Sequence, residues 1–119
     1  MHLLERFMKP IAHRGLHGAP GGGAIENTMQ AFRAARDKGY GIECDIRPAR
    51  HGLPIVFHDA DLDRLMLTAG LVAEKSGDDL AGLSFRDAPT ERIPTLAELL
   101  AFAGNEVPLL IEVKSEWQP

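Results

Sequence analysis

Residues 41–46 read Gly-Ile-Glu-Cys-Asp-Ile, a strict alternation with Ile42, Cys44 and Ile46 at one parity and Glu43 and Asp45 at the other. Successive side chains of an extended chain leave opposite faces, so this segment predicts a β-strand that turns one face to a core and projects two carboxylates from the other. The pattern returns in residues 108–113, where Leu109, Ile111 and Val113 alternate with Leu110 and Glu112, and Lys114 continues the second face. Two further apolar runs, Pro10-Ile11-Ala12-His13 and Leu53 to Phe57, break off in polar residues: Arg14-Gly15 after the first, His58-Asp59 after the second. Four predicted strands thus deliver ionisable residues at their C-terminal ends. That edge is where sites form in parallel α/β folds, because the loops after each strand converge there.

The segments between these strands set their pairing. Asn27 reads as an N-cap, with Gln30 completing a capping-box pattern and Met29, Phe32 and Ala35 forming the apolar stripe of a helix that Gly39 closes. A second helix is predicted from Thr95 to Phe102, with Leu96, Leu99, Leu100 and Ala103 on its apolar face and Gly104-Asn105 as its stop. Leu3, Leu4 and Phe7 fall at helical spacing and predict a short lead-in helix. Residues 60–92 show no sustained period and read as an irregular insertion with short local helices. Crossovers of a dozen residues or more predict parallel strands. The link between the second and third strands is too short for a helix and calls for a tight connection. With no repeat, low-complexity tract or linker, residues 1–119 read as a single domain.

Composition narrows the function. A chain of 119 residues, 45% hydrophobic and 25% charged, suits one globular domain. Its net charge of -4 excludes broad electrostatic attraction to nucleic acid or to an anionic membrane, so any phosphate must be held by local groups. The single cysteine, Cys44, has no partner for an internal disulfide. Glu5 and Arg6 interrupt the N-terminal segment where a signal peptide needs its apolar run, and no stretch is long enough to insert stably in a membrane. The expectation is a soluble, cytoplasmic protein.

Glu43 and Asp45 leave the same strand face, and Glu112 holds the matching position on another strand. Three carboxylates in one cavity raise one another's pKa unless a cation compensates them, and an all-oxygen set selects a hard ion, Mg²⁺ or Ca²⁺. His13 and His58 each finish a strand and suit transfer of a proton from a nucleophile and to a leaving group. Arg14 and Lys114 place positive charge beside the cluster, where a phosphate would need it. Alternation turns Arg14 away from His13 unless the strand ends there, and Gly15 permits that ending. His17 and His51 fall in predicted loops and His2 at the terminus, all read as bystanders. Residues Gly18 to Gly23 lack the spacing and lysine of a nucleotide-binding loop and read as a flexible rim. Cys44, on the face opposite the acids, reads as packed core.

Taken together and in order, Ile11-Ala12-His13-Arg14-Gly15, Glu26-Asn27-Thr28, Glu43-Cys44-Asp45, Val56-Phe57-His58-Asp59, Leu62-Asp63-Arg64, Ile93-Pro94-Thr95-Leu96 and Ile111-Glu112-Val113-Lys114 resemble the glycerophosphodiester phosphodiesterase family. The resemblance implies a TIM-type (β/α) barrel that uses a divalent cation, Mg²⁺ or Ca²⁺, to hydrolyse small glycerophosphodiesters to glycerol 3-phosphate and an alcohol. Carried over residue by residue, it implies Glu43, Asp45 and Glu112 as metal ligands, His13 and His58 as general acid and base, and Arg14 and Lys114 as phosphate contacts. Glu26 and Asn27 would shape the site, and Asp59 and Asp63 would organise loops. Which histidine is the acid, and whether water or a substrate hydroxyl attacks first, stays open.

A full barrel has eight strands, and this chain supplies about the first four. An open sheet of four parallel strands leaves unpaired edges and exposed apolar faces, which predicts self-association, with two half-barrels sharing an axis, or dependence on a missing C-terminal half. Two other readings stand beside the enzyme. One is a catalytically silent family fragment or interaction module. The other is a related phosphodiesterase acting on lysophospholipid or sphingolipid head groups, against which the 6% aromatic content argues.

Overall fold

The structure, a computed structural model, describes residues 9–114. The lead-in helix expected around Leu3, Leu4 and Phe7 lies outside the described residues. The order is β1 (Ile11–His13), α1 (Met29–Asp37), β2 (Gly41–Pro48), β3 (Pro54–Val56), α2 (Gly77–Ala81), α3 (Leu96–Ala103) and β4 (Leu109–Val113), with single 3₁₀ turns at Ala19–Gly21, Arg50–Gly52 and Val72–Glu74.

β2 is the axis of the sheet. It pairs in parallel with β1, Ala12 opposite Ile42 and His13 opposite Glu43, and in parallel with β4, Cys44 opposite Ile111 and Asp45 opposite Glu112. Helical crossovers through α1 and α3 join these three strands, as parallel neighbours require. β3 differs from the expected parallel arrangement: it runs antiparallel to β2, with Ile46 opposite Val56 and Pro48 opposite Pro54. The reason is the short connection, which reverses the chain through the 3₁₀ turn at Arg50–Gly52 with His51 at a φ of 70°. Ile46 is in register with both Val56 and Val113, so β3 and β4 flank β2 on opposite sides. β2 therefore runs on past the end of β1, and β3 returns beside the extension. That return carries His58 back to the level of Asp45, whose carbonyl accepts from the Phe57 amide.

The start of α1 lies one residue later than the capping pattern predicts. Thr28, extended at φ -109°, is the N-cap; its hydroxyl accepts from the Ala31 amide and donates to the Ile25 carbonyl. Asn27 has a φ of 55°, outside the extended region that an N-cap needs, and its side chain is used elsewhere. The Gln30 side chain completes no box, and its amide donates to Glu91. At the other end Gly39, at φ 76°, allows the Tyr40 and Gly39 amides to bond back to the carbonyls of Ala35 and Arg36. Helix α3 begins with the box that α1 lacks, Thr95 and Glu98 each accepting from the other's amide. Its buried residues are Leu99 and Ala103; Leu100, expected on the apolar face, is half exposed.

Two apolar cores result. Phe32, Ala35, Ile42, Cys44, Val56 and Leu99 lie under the sheet, packed between β2 and the two crossover helices. Residues 60–92, expected to be irregular, form a second core around Ile55, Phe57, Leu62, Met66, Val72, Leu80 and Phe85. Each such side chain contributes about 1.5–3 kcal/mol on burial, so the insertion is held by packing despite its short helices. Ile55 and Phe57 belong to this second core while Val56 joins the first. The alternation of β3 thus ties the insertion to the sheet.

Candidate active site

The expected residues gather where β1 and β4 end beside the middle of β2, which runs on to Pro48. Glu43 and Asp45 therefore lie within their strand and not at its end as expected. β1 stops at His13, and Arg14 takes a φ of 58°, which breaks the alternation as the sequence requires if both residues are to face the site. Gly15 makes this corner possible: at φ 77°, a Cβ there would lie 2.8 Å from the Ala31 Cβ and 3.0 Å from the Phe32 ring. The turn therefore packs directly against the first turn of α1. Arg14 reaches two carboxylates, its Nη1 lying 3.1 Å from Glu26 and its Nε 3.4 Å from Asp45.

Glu43, Asp45 and Glu112 converge as predicted, each offering a carboxylate oxygen within 4.8 Å of the others. The set fits a hard cation on its own chemistry. It consists of oxygens alone, and Glu43 Oε1 and Asp45 Oδ1 are buried without a hydrogen-bond partner. The two β2 acids are tuned in opposite directions. Burial pushes the Glu43 carboxyl up, and the charge of Asp45 adds to it, with His13 opposing. Burial acts the same way on Asp45 but is outweighed by the Asn27 hydrogen bond and by the charges of Lys114, His58 and Arg14, which hold it below the usual range. Asp45 therefore stays ionised, with Asn27 gripping it twice: Nδ2 donates to Oδ2 at 3.0 Å, and Oδ1 accepts from the Asp45 amide. This grip leaves the Asp45 Oδ1 without a hydrogen bond, with the Lys114 ammonium 3.5 Å from it.

The cations and histidines complete the edge. Lys114 donates to Glu112 at 3.0 Å and lies 3.5 Å from Asp45. Burial lowers its pKa, but the bond to Glu112 and the charge of Asp45 prevail and raise it. His13 Nε2 lies 3.2 Å from Glu43 with most of its ring exposed. His58 is placed differently: its Nδ1 is 2.7 Å from Asp59 Oδ1. Burial pushes Asp59 up, yet its bonds to Arg64 and His58 bring it below the ordinary carboxylate value. An ionised aspartate only accepts, so Nδ1 carries the proton of that bond and Nε2 is left for chemistry. Cys44 lies in the core as expected, its thiol pushed by burial up to about 12.

Comparison with known proteins gives this geometry a family. The model of the glycerophosphoryl diester phosphodiesterase family matches residues 13–118. The chain belongs to that family. It is 36% identical over 112 residues to a glycerophosphodiester phosphodiesterase of Caldanaerobacter subterraneus, and 35% identical over 104 residues to glycerophosphodiester phosphodiesterase 1 of Bos taurus. These alignments cover 88% and 80% of this chain but 44% and 30% of the relatives. The crystal structure of a glycerophosphodiester phosphodiesterase from Agrobacterium tumefaciens superposes with a TM-score of 0.80 at 28% identity, covering 90% of this chain and 47% of that one. A phosphodiesterase of Oleispira antarctica, solved in complex with the product sn-glycerol-3-phosphate, superposes with a TM-score of 0.76 at 29% identity, covering 89% and 44%. The chain thus spans less than half the length of these relatives. The fold is the TIM-barrel type of the family, of which the described residues form a partial α/β sheet. No helix among the described residues is long and apolar enough to cross a membrane.

Two residues beside this phosphodiesterase-family site do more than the sequence specified. Asn27, expected to cap the helix and to shape the site, leaves the cap to Thr28 and clamps Asp45. Its positive φ, which aims the side chain at β2, leaves no sequence mark beyond its place next to Thr28. Arg64, assigned no role from sequence, donates four hydrogen bonds to Glu26 and Asp59. Its neighbour Asp63 does organise a loop, accepting from the Gly70 amide at 3.0 Å.

Proposed function

We propose that this protein hydrolyses glycerophosphodiesters to sn-glycerol 3-phosphate and an alcohol with the help of a divalent cation. The observation that carries this reading is the convergence of three carboxylates, two of whose buried oxygens accept no hydrogen bond, flanked by two histidines and two cations. It accords with the family match and with the product bound by the Oleispira antarctica protein.

Glu43, Asp45 and Glu112 would hold the Mg²⁺ or Ca²⁺, which would supply positive charge to offset the negative charge of the phosphate and to polarise it. Arg14 and Lys114 add charge on either side, each already held in place by a carboxylate. One histidine accepts the proton of the attacking hydroxyl as its oxygen bonds to phosphorus. The other gives a proton to the alcohol oxygen as the bond from phosphorus to that oxygen breaks. The ring that gained a proton then releases it and the ring that gave one takes one up from solvent, so both return to their starting forms and the protons balance. His58 meets this task with Nε2 free and Nδ1 anchored on Asp59.

The test is release of glycerol 3-phosphate from glycerophosphocholine and glycerophosphoethanolamine, with and without chelator, for wild type and Glu43→Gln. Changes in the outer shell of a metal site already cost about 10–100-fold, so losing a ligand should cost at least about 100-fold. Turnover that survives chelation would sink the cation-dependent mechanism, and an unimpaired Glu43→Gln would remove Glu43 from the site.

A further inference from the structure

Two carboxylates near the site, the buried Glu26 and the partly buried Asp59, lie 33 residues apart in sequence, and one guanidinium joins them. Arg64 uses two edges of its fork. Nε and Nη2 donate to Asp59 Oδ2 and Oδ1 at 2.8 and 3.2 Å, while Nη1 and Nη2 donate to Glu26 Oε1 and Oε2 at 2.9 and 2.8 Å. Each carboxylate also holds a residue of the site. Asp59 Oδ1 accepts from His58 Nδ1, and Glu26 Oε2 accepts from Arg14 Nη1 at 3.1 Å. We infer that Arg64 is a positioning residue of the reaction, the crosspiece that sets the His58 ring and the Arg14 guanidinium relative to one another.

The inference rests on the proposed hydrolysis for its effect on turnover, but its geometry stands apart from it. Arg64 touches none of the three metal-site acids. It belongs to the insertion, whereas Glu26 precedes α1 and Arg14 follows β1. Through Arg64 the insertion is bonded to the residues that hold His58 and Arg14. A planar fork offers two donor edges, one to each carboxylate, and a single ammonium cannot replace four directed donors. Without it, Asp59 loses the bonds that fix its plane, so it no longer dictates which nitrogen of His58 carries the proton. Glu26 would at the same time be left with Arg14 as its sole guanidinium partner among the bonds described.

The experiment uses Arg64→Ala and Arg64→Lys in the full chain, with Arg86→Ala as the control. Arg86 also belongs to the insertion, but its side chain donates to the carbonyls of Asp63 and Met66 and not to the network. Two readouts are taken. The first is the tautomer of neutral His58 by long-range proton–nitrogen NMR at mildly alkaline pH, which needs no turnover. Wild type and Arg86→Ala should show the proton on Nδ1, and Arg64→Ala should show a mixture. The second is kinetics: Arg64→Ala should lose about 10–100-fold in kcat with KM unchanged, and millimolar guanidinium should restore part of it. Arg64→Lys should resemble Arg64→Ala, and it carries the reading if the alanine variant does not fold. A His58 tautomer unchanged in both Arg64 variants would overturn the inference, whatever the activity. A wild type that shows the Nδ1 proton and the shift on mutation, yet hydrolyses nothing, would sink the proposed reaction and leave the positioning role standing.

Discussion

Strands β2 and β4 carry acids of one cluster in matched register, Asp45 opposite Glu112, yet they hold them in opposite ways. The Asp45 side chain is 1% exposed and the Glu112 side chain 58%. β2 is paired on both sides and buried along almost its whole length, whereas β4 pairs with β2 alone among the described residues and leaves Leu110, Ile111 and Val113 open. A carboxylate on the central strand is therefore fixed by its surroundings before any ligand arrives. One on the edge strand is fixed mainly by its own neighbour, Lys114. The site thus has a rigid half and an adjustable half.

The largest effect should come from breaking the rigid half. Asp45→Ala would leave the Asn27 amide and the charges of Arg14 and Lys114 facing a buried gap with no anion. Removing one partner of a buried ion pair costs about 3–5 kcal/mol. Urea unfolding should register a loss of that size together with loss of hydrolysis. A variant as stable as wild type would show that Asp45 is not the anchor of this half.

Next in size is the corner that places Arg14. Gly15→Ala combines a φ of 77° with close approach to Ala31 and Phe32, so the turn and the start of α1 must move apart. Strain and overpacking of this kind cost about 2–3 kcal/mol. If the rigidity of β2 draws on the packing of α1 against β1, the change should also weaken cation binding, measured by titration calorimetry, though Gly15 contacts no ligand side chain.

How far this contrast was legible in the sequence depends on which interactions are local. The alternation in residues 41–46 and 108–113 announced both strands and put the three acids on one face, because a period of two survives whatever the strand packs against. The helix read from Thr95 to Phe102 was legible from its apolar spacing and its Gly104-Asn105 stop, and the structure has it at Leu96–Ala103. The cap of α1 was not: Asn27-Gln30 matches a capping box and Thr28-Ala31 does not, yet Asn27 takes a left-handed φ of 55°, its side chain bonds Asp45, and Thr28 caps the helix. Nor was the direction of β3, where the chain could show a short link but not that β2 would extend past β1 to receive it. Arg64 lies 38 residues from Glu26, and nothing short of the folded insertion brings them together.

Acid titration should separate the halves further. Burial opposes ionisation of Glu26 and Asp59, but their bonds to Arg64 more than compensate, so both carboxyls lie below their ordinary values of 4.5 and 3.8 when folded. A group with a lowered folded pKa stabilises the fold fully above its unfolded value and loses that contribution as pH falls through the folded one. Thermal unfolding from neutral pH downward should therefore show Tm falling from about pH 4.5, the ordinary value for Glu26, and continuing to fall below 3.8. Arg64→Ala should flatten this part of the curve. Equal slopes in the variant and wild type would mean that the crosspiece contributes no linked stability.

The smallest change in stability is expected on the adjustable half. Glu112→Gln keeps the shape of the side chain and removes a charge that is already largely in water, so unfolding should move by no more than about 0.5 kcal/mol. Cation affinity should still drop, by about tenfold or more, because one of three anionic ligands is gone. Asp45→Asn should instead lower stability and affinity together, since that carboxylate serves the fold as well as the site. If Glu112→Gln destabilised the protein as much as Asp45→Asn, the distinction between the halves would fail. β4 would then be held as firmly as β2 by contacts that its exposed face does not reveal.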